Sequence, residues 1–154
     1  MKGNEKIIER LNLLLADELT AINQYIIHSE MCENWGYKRL HDVIKTRAIG
    51  EMKHAEKLIA RILFLEGLPN VNLNKISVGA TIEEQLKNDC SAEIEAIKLY
   101  NDSIRLATEL GDSGTTELLR YILSDEEKHI DWLEQQVEQI RQLQLSNYLV
   151  EQIG

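Results

Sequence analysis

Two short motifs in this sequence combine a carboxylate and an imidazole at the same spacing: Glu51-Met52-Lys53-His54 and Glu126-Glu127-Lys128-His129. If each motif lies on a helix, its Glu and His stand on one face, about 5–6 Å apart. Such a pair can direct an oxygen and a nitrogen at one metal ion. A single pair is more often two charged groups on a solvated helix face, so the interpretation needs support from the rest of the chain.

That support comes from an internal repeat, because the same residue types recur with an offset of 75 residues. Glu18 and Glu93 are equivalent, and each precedes its Glu-x-x-His motif by 33 residues. The apolar positions that share the offset are Leu11 and Leu86, Ile22 and Ile97, Leu58 and Leu133, Ile62 and Val137, and Leu65 and Ile140. The repeat predicts two helical hairpins related by a pseudo-twofold axis, each bringing one Glu and one Glu-x-x-His motif to a shared centre.

The predicted centre contains four carboxylates and two imidazoles, a donor set that suits iron or manganese better than a closed zinc site. Buried carboxylates need counter-charges, and two divalent cations would offset four of them. We therefore expect a two-metal site in which Glu51 and Glu126 bridge the metals. The candidate metal ligands are Glu18, Glu51, His54, Glu93, Glu126 and His129.

Two tyrosines, Tyr25 and Tyr100, lie two turns beyond Glu18 and Glu93 on the same helix faces. Either hydroxyl could hydrogen-bond a ligand carboxylate or supply an electron during oxygen chemistry, and we include Tyr25 among the catalytic candidates. The alternative for both is an aromatic core residue with a satisfied hydroxyl.

Apolar residues at helical spacing predict an all-α four-helix bundle over about residues 5–143, with a short fifth helix at about 145–153, in a single domain covering 1–154. The first two helices run over about 5–35 and 38–66, with Gly36 between them. A third helix opens at Thr81 as N-cap, and a fourth spans about 115–143. The link 67–81 is long enough to cross the end of the bundle and join two helices that are not adjacent antiparallel neighbours, so we expect a long crossover between the second and third helices. The fifth helix, capped by Ser146, is expected to contact another subunit, with a fold-back onto its own bundle as the alternative.

Composition limits the classes of partner. A net charge of −9 argues against nucleic acid or an anionic membrane as the main partner, and is compatible with attracting cations. The polar opening Met1-Lys2-Gly3 does not resemble a signal peptide and no stretch is apolar enough to span a membrane, so we expect a cytoplasmic protein. Cys32 and Cys90 are isolated, and we expect both to be packing thiols.

The whole chain resembles a bacterioferritin. One Glu from each of two helices with Glu-x-x-His from the other two is the ligand pattern of ferritin-like di-iron bundles. The stretches that carry the resemblance are 1–3, Ala21-Ile22-Asn23-Gln24-Tyr25, Asn34-Trp35-Gly36, 61–69, 129–134 and Asn147-Tyr148-Leu149. The resemblance implies a 24-subunit cage built from twofold dimers. It also implies a ferroxidase centre with two iron ions per subunit, which oxidises Fe²⁺ with dioxygen or peroxide before ferric mineral is stored.

The resemblance also gives Met52 a role that its spacing alone does not. On spacing, Met52 lies about 100° around the helix from Glu51 and is most simply a residue of a subunit interface. In bacterioferritins a Met at this place, given once by each subunit of a twofold dimer, ligates haem iron. The family therefore implies a haem b shared between two subunits through Met52, and a [2Fe-2S] bacterioferritin-associated ferredoxin as electron donor for iron release.

The chain departs from some bacterioferritins on the inner cavity wall, where those proteins place a His and an Asp as an additional iron site. The corresponding residues here are Thr46 and Gly50, both poor ligands. Iron is therefore expected to reach the cavity by another route, and we hypothesise that His54 or His129 swings to let it pass. Two other functions share parts of the pattern: a rubrerythrin-like di-iron peroxidase, disfavoured by the absent Cys-x-x-Cys module, and a purely structural helical protein.

Overall fold

The protein forms four long helices and one short one, and the computed structural model describes all residues from Met1 to Gly154. Their bounds are α1 Glu5–Asn34, α2 Lys38–Phe64, α3 Ile82–Glu109, α4 Ser113–Leu143 and α5 Leu145–Val150. There is no strand, and none of the helices combines the length and apolar character that crossing a membrane requires. The predicted all-α bundle is confirmed.

Helix ends follow local sequence signals. The side chains of Asn4, Thr81 and Asp112 each accept a hydrogen bond from a backbone N–H in the first turn of α1, α3 and α4 respectively. Gly36, just after α1, has a φ of 82°, the left-handed conformation expected for a glycine that ends a helix. α4 begins two residues earlier than predicted because Asp112, rather than a later residue, is its cap.

The helices pair as two hairpins, α1 with α2 and α3 with α4, and the hairpins meet through α1 and α3 and through α2 and α4. α2 and α3 do not contact each other. The link between them runs lengthwise along α1, since Asn70 bonds Asn12 near its start and Gly79 bonds His28 near its end. The predicted long crossover between helices that are not adjacent neighbours is confirmed, although the link follows the side of the bundle and not its end.

Polar side chains on one face of α1 hold the link in place. Thr20 Oγ1, Gln24 Oε1 and His28 Nε2 accept the backbone N–H groups of Asn74, Ser77 and Gly79 at 2.8, 3.0 and 3.0 Å. The acceptors are four residues apart and so lie in one row on the helix. A backbone N–H can only donate, so the His28 proton sits on Nδ1, which donates to Asp89 at 3.0 Å. These three hydrogen bonds hold the non-helical link against α1 at three positions.

The apolar core consists of two clusters with a polar layer between them. One contains Leu14, Leu58 and Leu119, and the other contains Cys32, Leu86 and Leu133. The residue that α1 contributes to this polar layer is Glu18, which is 2% exposed. The polar layer is where the predicted metal ligands lie.

α5 packs against its own bundle. Tyr148 is 1% exposed and donates its hydroxyl hydrogen to Gln136 Oε1 on α4 at 2.8 Å. These contacts match the fold-back alternative. The expected contact of α5 with another subunit stays a prediction. Ser146 does not cap the helix, which begins at Leu145 after Gln144 turns the chain with a φ of 69°. The helix also ends at Val150, earlier than predicted.

Candidate metal centre

The structure brings together all six residues predicted from the repeat. They form two overlapping groups: Glu18, Glu51, His54 and Glu126 in one, and Glu51, Glu93, Glu126 and His129 in the other. Within each group, the potential ligand atoms lie within 4.8 Å of one another. Glu51 and Glu126 belong to both groups, which is the arrangement that the bridging prediction requires.

The two imidazoles point their Nδ1 atoms inward from opposite sides. His54 Nδ1 is 3.1 Å from a Glu126 oxygen and 3.5 Å from a Glu51 oxygen. His129 Nδ1 is 2.9 Å from the other Glu51 oxygen and 3.5 Å from Glu93. The ring centroids are 6.3 Å apart. The pseudo-twofold axis predicted from the sequence therefore passes between these rings.

Each tyrosine reaches across the bundle to a carboxylate from the other hairpin. Tyr100 on α3 donates to Glu18 Oε1 on α1 at 2.5 Å, and Tyr25 on α1 donates to Glu93 Oε1 on α3. Both rings are buried. The hydrogen bonds leave the second oxygen of each carboxylate free to face the centre, so the tyrosines orient the two expected terminal ligands.

The centre fits a cationic group because its inward atoms have no partner in the protein. The buried polar atoms without a hydrogen bond are Glu18 Oε2, Glu51 Oε1, His54 Nδ1, Glu93 Oε2, Glu126 Oε1 and His129 Nδ1. Such groups are costly to bury unless something satisfies them. One atom comes from each of the six predicted residues, and oxygen donors with one nitrogen on each side are a set that divalent iron or manganese can satisfy.

Electrostatics in the cluster favour bound protons when no cation is present. Burial, together with the neighbouring carboxylates, raises the pKa values of Glu51 and Glu93 well above the ordinary range, and burial also raises that of Glu18. Burial alone would lower the pKa of His54, but the neighbouring Glu126 and Glu18 carboxylates raise it to about 10. Burial likewise opposes ionisation of Glu126, yet its polar neighbours Glu93 and His54 lower its pKa. A metal must therefore displace protons to bind.

A cavity of about 360 Å³ opens onto the centre between α1, α3 and the link. Its inner wall includes Glu18 and Glu93, and its outer rim includes Asp17, Asn74 and Glu95. Burial and the nearby acidic groups raise the pKa of Asp17 to about 6 even though Asn74 donates a hydrogen bond to it. Six carboxylates and one cationic side chain, Lys75, are among the lining residues, so the opening provides a net acidic approach for a cation from one side of the bundle.

One residue of the site was missed by sequence analysis. Asp125 Oδ2 lies 2.8 Å from His54 Nε2, on the side of the ring that faces away from the centre. The repeat did not reveal it, because the equivalent position 75 residues earlier is Gly50. Its only sequence signal is that it directly precedes Glu126.

Met52 lies on a different face of α2 from the centre. Its side chain is 46% exposed, whereas neighbouring Glu51 is 1% exposed. The prediction that Met52 cannot share the metal face is confirmed. Thr46 is exposed and donates its hydroxyl hydrogen only to the backbone of its own helix, and an added Cβ at Gly50 would meet nothing within 4 Å.

Comparison with known proteins places the chain among ferritin-like proteins. Residues 8–143 match the family model described as a ferritin-like domain. The chain is 42% identical over 149 residues to a bacterioferritin of Mycolicibacterium paratuberculosis, covering 96% of this chain and 94% of that protein. It is 42% identical over 138 residues to a bacterioferritin of Rhodobacter capsulatus, covering 89% and 86%. For a bacterioferritin of Brucella melitensis the identity is 40% over 149 residues, covering 96% and 92%.

Proposed function

Because this chain belongs to the bacterioferritins, iron-storage members of the ferritin-like family, we propose that it oxidises Fe²⁺ to Fe³⁺ and stores the product. In this proposal Fe²⁺ is the substrate, dioxygen or hydrogen peroxide is the oxidant, and ferric mineral collects in a hollow cage. Each pair of Fe²⁺ ions gives up two electrons. Dioxygen takes them with two protons to form hydrogen peroxide, or hydrogen peroxide takes them with two protons to form two waters.

The observation that carries the proposal is the pair of overlapping ligand groups in a buried layer. Two metals that share Glu51 and Glu126 would lie close enough to deliver two electrons to one oxidant. A structural ion pair would not leave six inward atoms without partners. The donor chemistry also excludes a thiolate site, since neither Cys32 nor Cys90 reaches the cluster.

The protein's own residues have separate tasks in this reaction. His54 and His129 would each present Nδ1 to one metal, while Glu18 and Glu93 would complete the two sites as terminal ligands. Bound iron supplies the redox chemistry. Tyr100 and Tyr25 hold the terminal carboxylates by hydrogen bonds, and the buried carboxylates release their protons as the cations enter. Tyr25 is also our candidate for supplying an electron.

The acidic rim would draw Fe²⁺ toward the centre. Asp17 and Glu95 line the opening of the cavity, and Glu18 and Glu93 line its inner end. Negative charge along a narrow, partly buried path raises the local concentration of cations. The net charge of −9 acts in the same direction.

The finer assignments rest on the family resemblance. Met52 would ligate a haem b shared by two subunits, since its thioether is a suitable soft ligand and its side chain is exposed. The haem would relay electrons from a [2Fe-2S] ferredoxin to the mineral when iron is released. Twofold dimers of this kind would assemble into a 24-subunit cage.

The decisive experiment follows Fe²⁺ oxidation by stopped-flow absorbance in the wild type, Glu51→Ala and His54→Ala. Loss of the rapid phase in both variants, with unchanged size-exclusion profiles, is the expected result. Glu56→Ala is the matched control, because Glu56 is an exposed carboxylate on the same helix. Rapid oxidation that survives in Glu51→Ala and His54→Ala would refute the proposed centre, and a small oligomer that forms no mineral would refute storage.

A further inference from the structure

The two halves of the centre match in their inward atoms but differ behind the imidazoles. His54 Nε2 lies 2.8 Å from Asp125 Oδ2. The corresponding outer nitrogen of His129 has no hydrogen-bond partner in the chain, and the His129 side chain is 12% exposed against 3% for His54. The pseudo-twofold symmetry is therefore broken just outside the ligand set.

The internal repeat explains the difference. Asp125 directly precedes Glu126 on α4 and reaches His54 on α2. By the same symmetry, the residue that precedes Glu51 on α2 is placed to reach His129 on α4. That residue is Gly50, which has no side chain. The position therefore lacks a carboxylate, and a Cβ added at Gly50 would meet nothing within 4 Å, so a side chain can begin there without a clash.

A carboxylate behind a metal-binding imidazole has a defined effect. It fixes the tautomer and the ring orientation and makes the ligand nitrogen more basic, and losing such a partner typically reduces metal affinity about 10–100-fold. His54 donates its Nε2 hydrogen to Asp125, so Nδ1 is the nitrogen that faces the centre and can bind a metal once its proton is displaced. No hydrogen bond fixes the tautomer of His129, so either of its ring nitrogens can carry the proton.

We propose that Asp125 is a positioning residue that makes the subsite of Glu18 and His54 the tighter of the two. The absence of its counterpart at Gly50 makes the subsite of Glu93 and His129 weaker. Metal therefore loads in order, first beside His54 and then beside His129, and the second ion exchanges faster. This inference rests on the proposed two-metal centre, and it deepens that proposal by making the two positions unequal.

The test is an anaerobic titration of the metal-free assembled protein with Co²⁺, followed by visible absorbance. The wild type should bind two Co²⁺ per subunit in separate steps, with dissociation constants about 10–100-fold apart. Asp125→Ala should weaken the first step and bring the two together. Gly50→Asp should strengthen the second step and also bring them together. Glu93→Gln should lose the second step only, whereas Glu18→Gln should disturb the first.

Matched controls separate positioning from general effects. Glu127→Ala removes an exposed carboxylate from the same helix as Asp125, and Gly50→Ala improves helix propensity without adding a carboxylate. Both should leave the separation of the steps unchanged. Gly50→Asp keeps the proposal testable if Asp125→Ala folds poorly, as judged by circular dichroism.

The outcomes distinguish this inference from the function on which it rests. Failure of the wild type to bind two Co²⁺ through these residues would overturn the two-metal centre itself. Two Co²⁺ bound with equal affinity, or steps that neither Asp125→Ala nor Gly50→Asp moves, would overturn the inequality while leaving the centre intact. Tightening of the second step by Gly50→Ala as strongly as by Gly50→Asp would also overturn it.

Discussion

Tyr100 donates its hydroxyl hydrogen to the Glu18 carboxylate across the interface between the two hairpins, at 2.5 Å. Tyr25 makes the equivalent bond to Glu93 in the opposite direction. The crossed pair ties each terminal carboxylate to the hairpin that does not carry it. The same two bonds therefore contribute both to the docking of the hairpins and to the placement of the ligands.

The first prediction concerns these hydroxyls. Tyr100→Phe and Tyr25→Phe should each lower the free energy of unfolding of the metal-free protein by about 1–3 kcal/mol, because a buried acceptor loses its donor. Urea denaturation at constant pH measures the change. Tyr121→Phe is the control, since Tyr121 is 57% exposed and makes no hydrogen bond through its hydroxyl. A loss no larger than that of the control would show that the crossed bonds do not stabilise the bundle.

The second prediction is that the buried acidic residues of the centre destabilise the metal-free protein. Glu93→Gln should raise the melting temperature of the metal-free protein at pH 8, because it removes a buried acidic group whose ionisation burial and its neighbours oppose at a pH where the unfolded chain would ionise it. The same variant should lose the stabilisation that added metal gives the wild type. Differential scanning calorimetry with and without Co²⁺ measures both effects. Glu127→Gln, at an exposed position of α4 outside the cavity, should do neither.

The third prediction is a stability that falls as pH rises in the metal-free protein. The raised pKa values of Glu18, Glu51 and Glu93 mean that the native state binds more protons than the unfolded state above the ordinary glutamate value of 4.5. Stability from these groups is complete below that value and is lost as pH rises through their native pKa values. His54 acts in the same direction between 6.5 and about 10. Glu126, whose pKa is lowered, acts oppositely but only below 4.5.

Chemical denaturation of the metal-free protein at several values between pH 5 and pH 9 would measure this slope. Metal loading should reverse it, because a bound cation competes with protons for the same atoms. A metal-free protein that gains stability over this range would contradict the assignment of bound protons to the cluster.

The fourth prediction separates haem from iron oxidation. Met52→Leu should abolish haem absorbance in the purified protein and leave the rate of Fe²⁺ oxidation unchanged, because Met52 lies on a face of α2 away from the centre. A visible spectrum and a stopped-flow trace on one preparation measure both. Met31→Leu is the matched control and should retain haem. Persistence of the haem spectrum in Met52→Leu would exclude this thioether as the ligand.

The sequence predicted the ligand cluster better than its surroundings. Glu18 and Glu93 could be found because each is a carboxylate in an apolar stripe and the two share a repeat. Glycine and cap residues such as Gly36 and Thr81 located helix ends because their signals are local. Asp125 could not be found this way, since its role depends on a contact with another helix, and the repeat breaks at its counterpart.

The path of the link between α2 and α3 also could not be predicted from the sequence. Its length allowed a path across the end of the bundle or along its side, and only the acceptors on α1 decide between them. Thr20, Gln24 and His28 look like ordinary polar helix residues until their partners on the link are known. For α5, the buried Tyr148 hydroxyl bonded to Gln136 shows how the helix packs on its own bundle, and its contact with another subunit stays a prediction.

The row of acceptors on α1 fixes the number of residues in the link between Asn74 and Gly79. Substituting an outward-facing side chain between Asn74 and Gly79 leaves every backbone N–H in place. Inserting or deleting one residue there would move the later N–H donors away from their acceptors on Gln24 and His28. Among relatives, the outward-facing residues of this stretch should therefore vary while the number of residues stays constant.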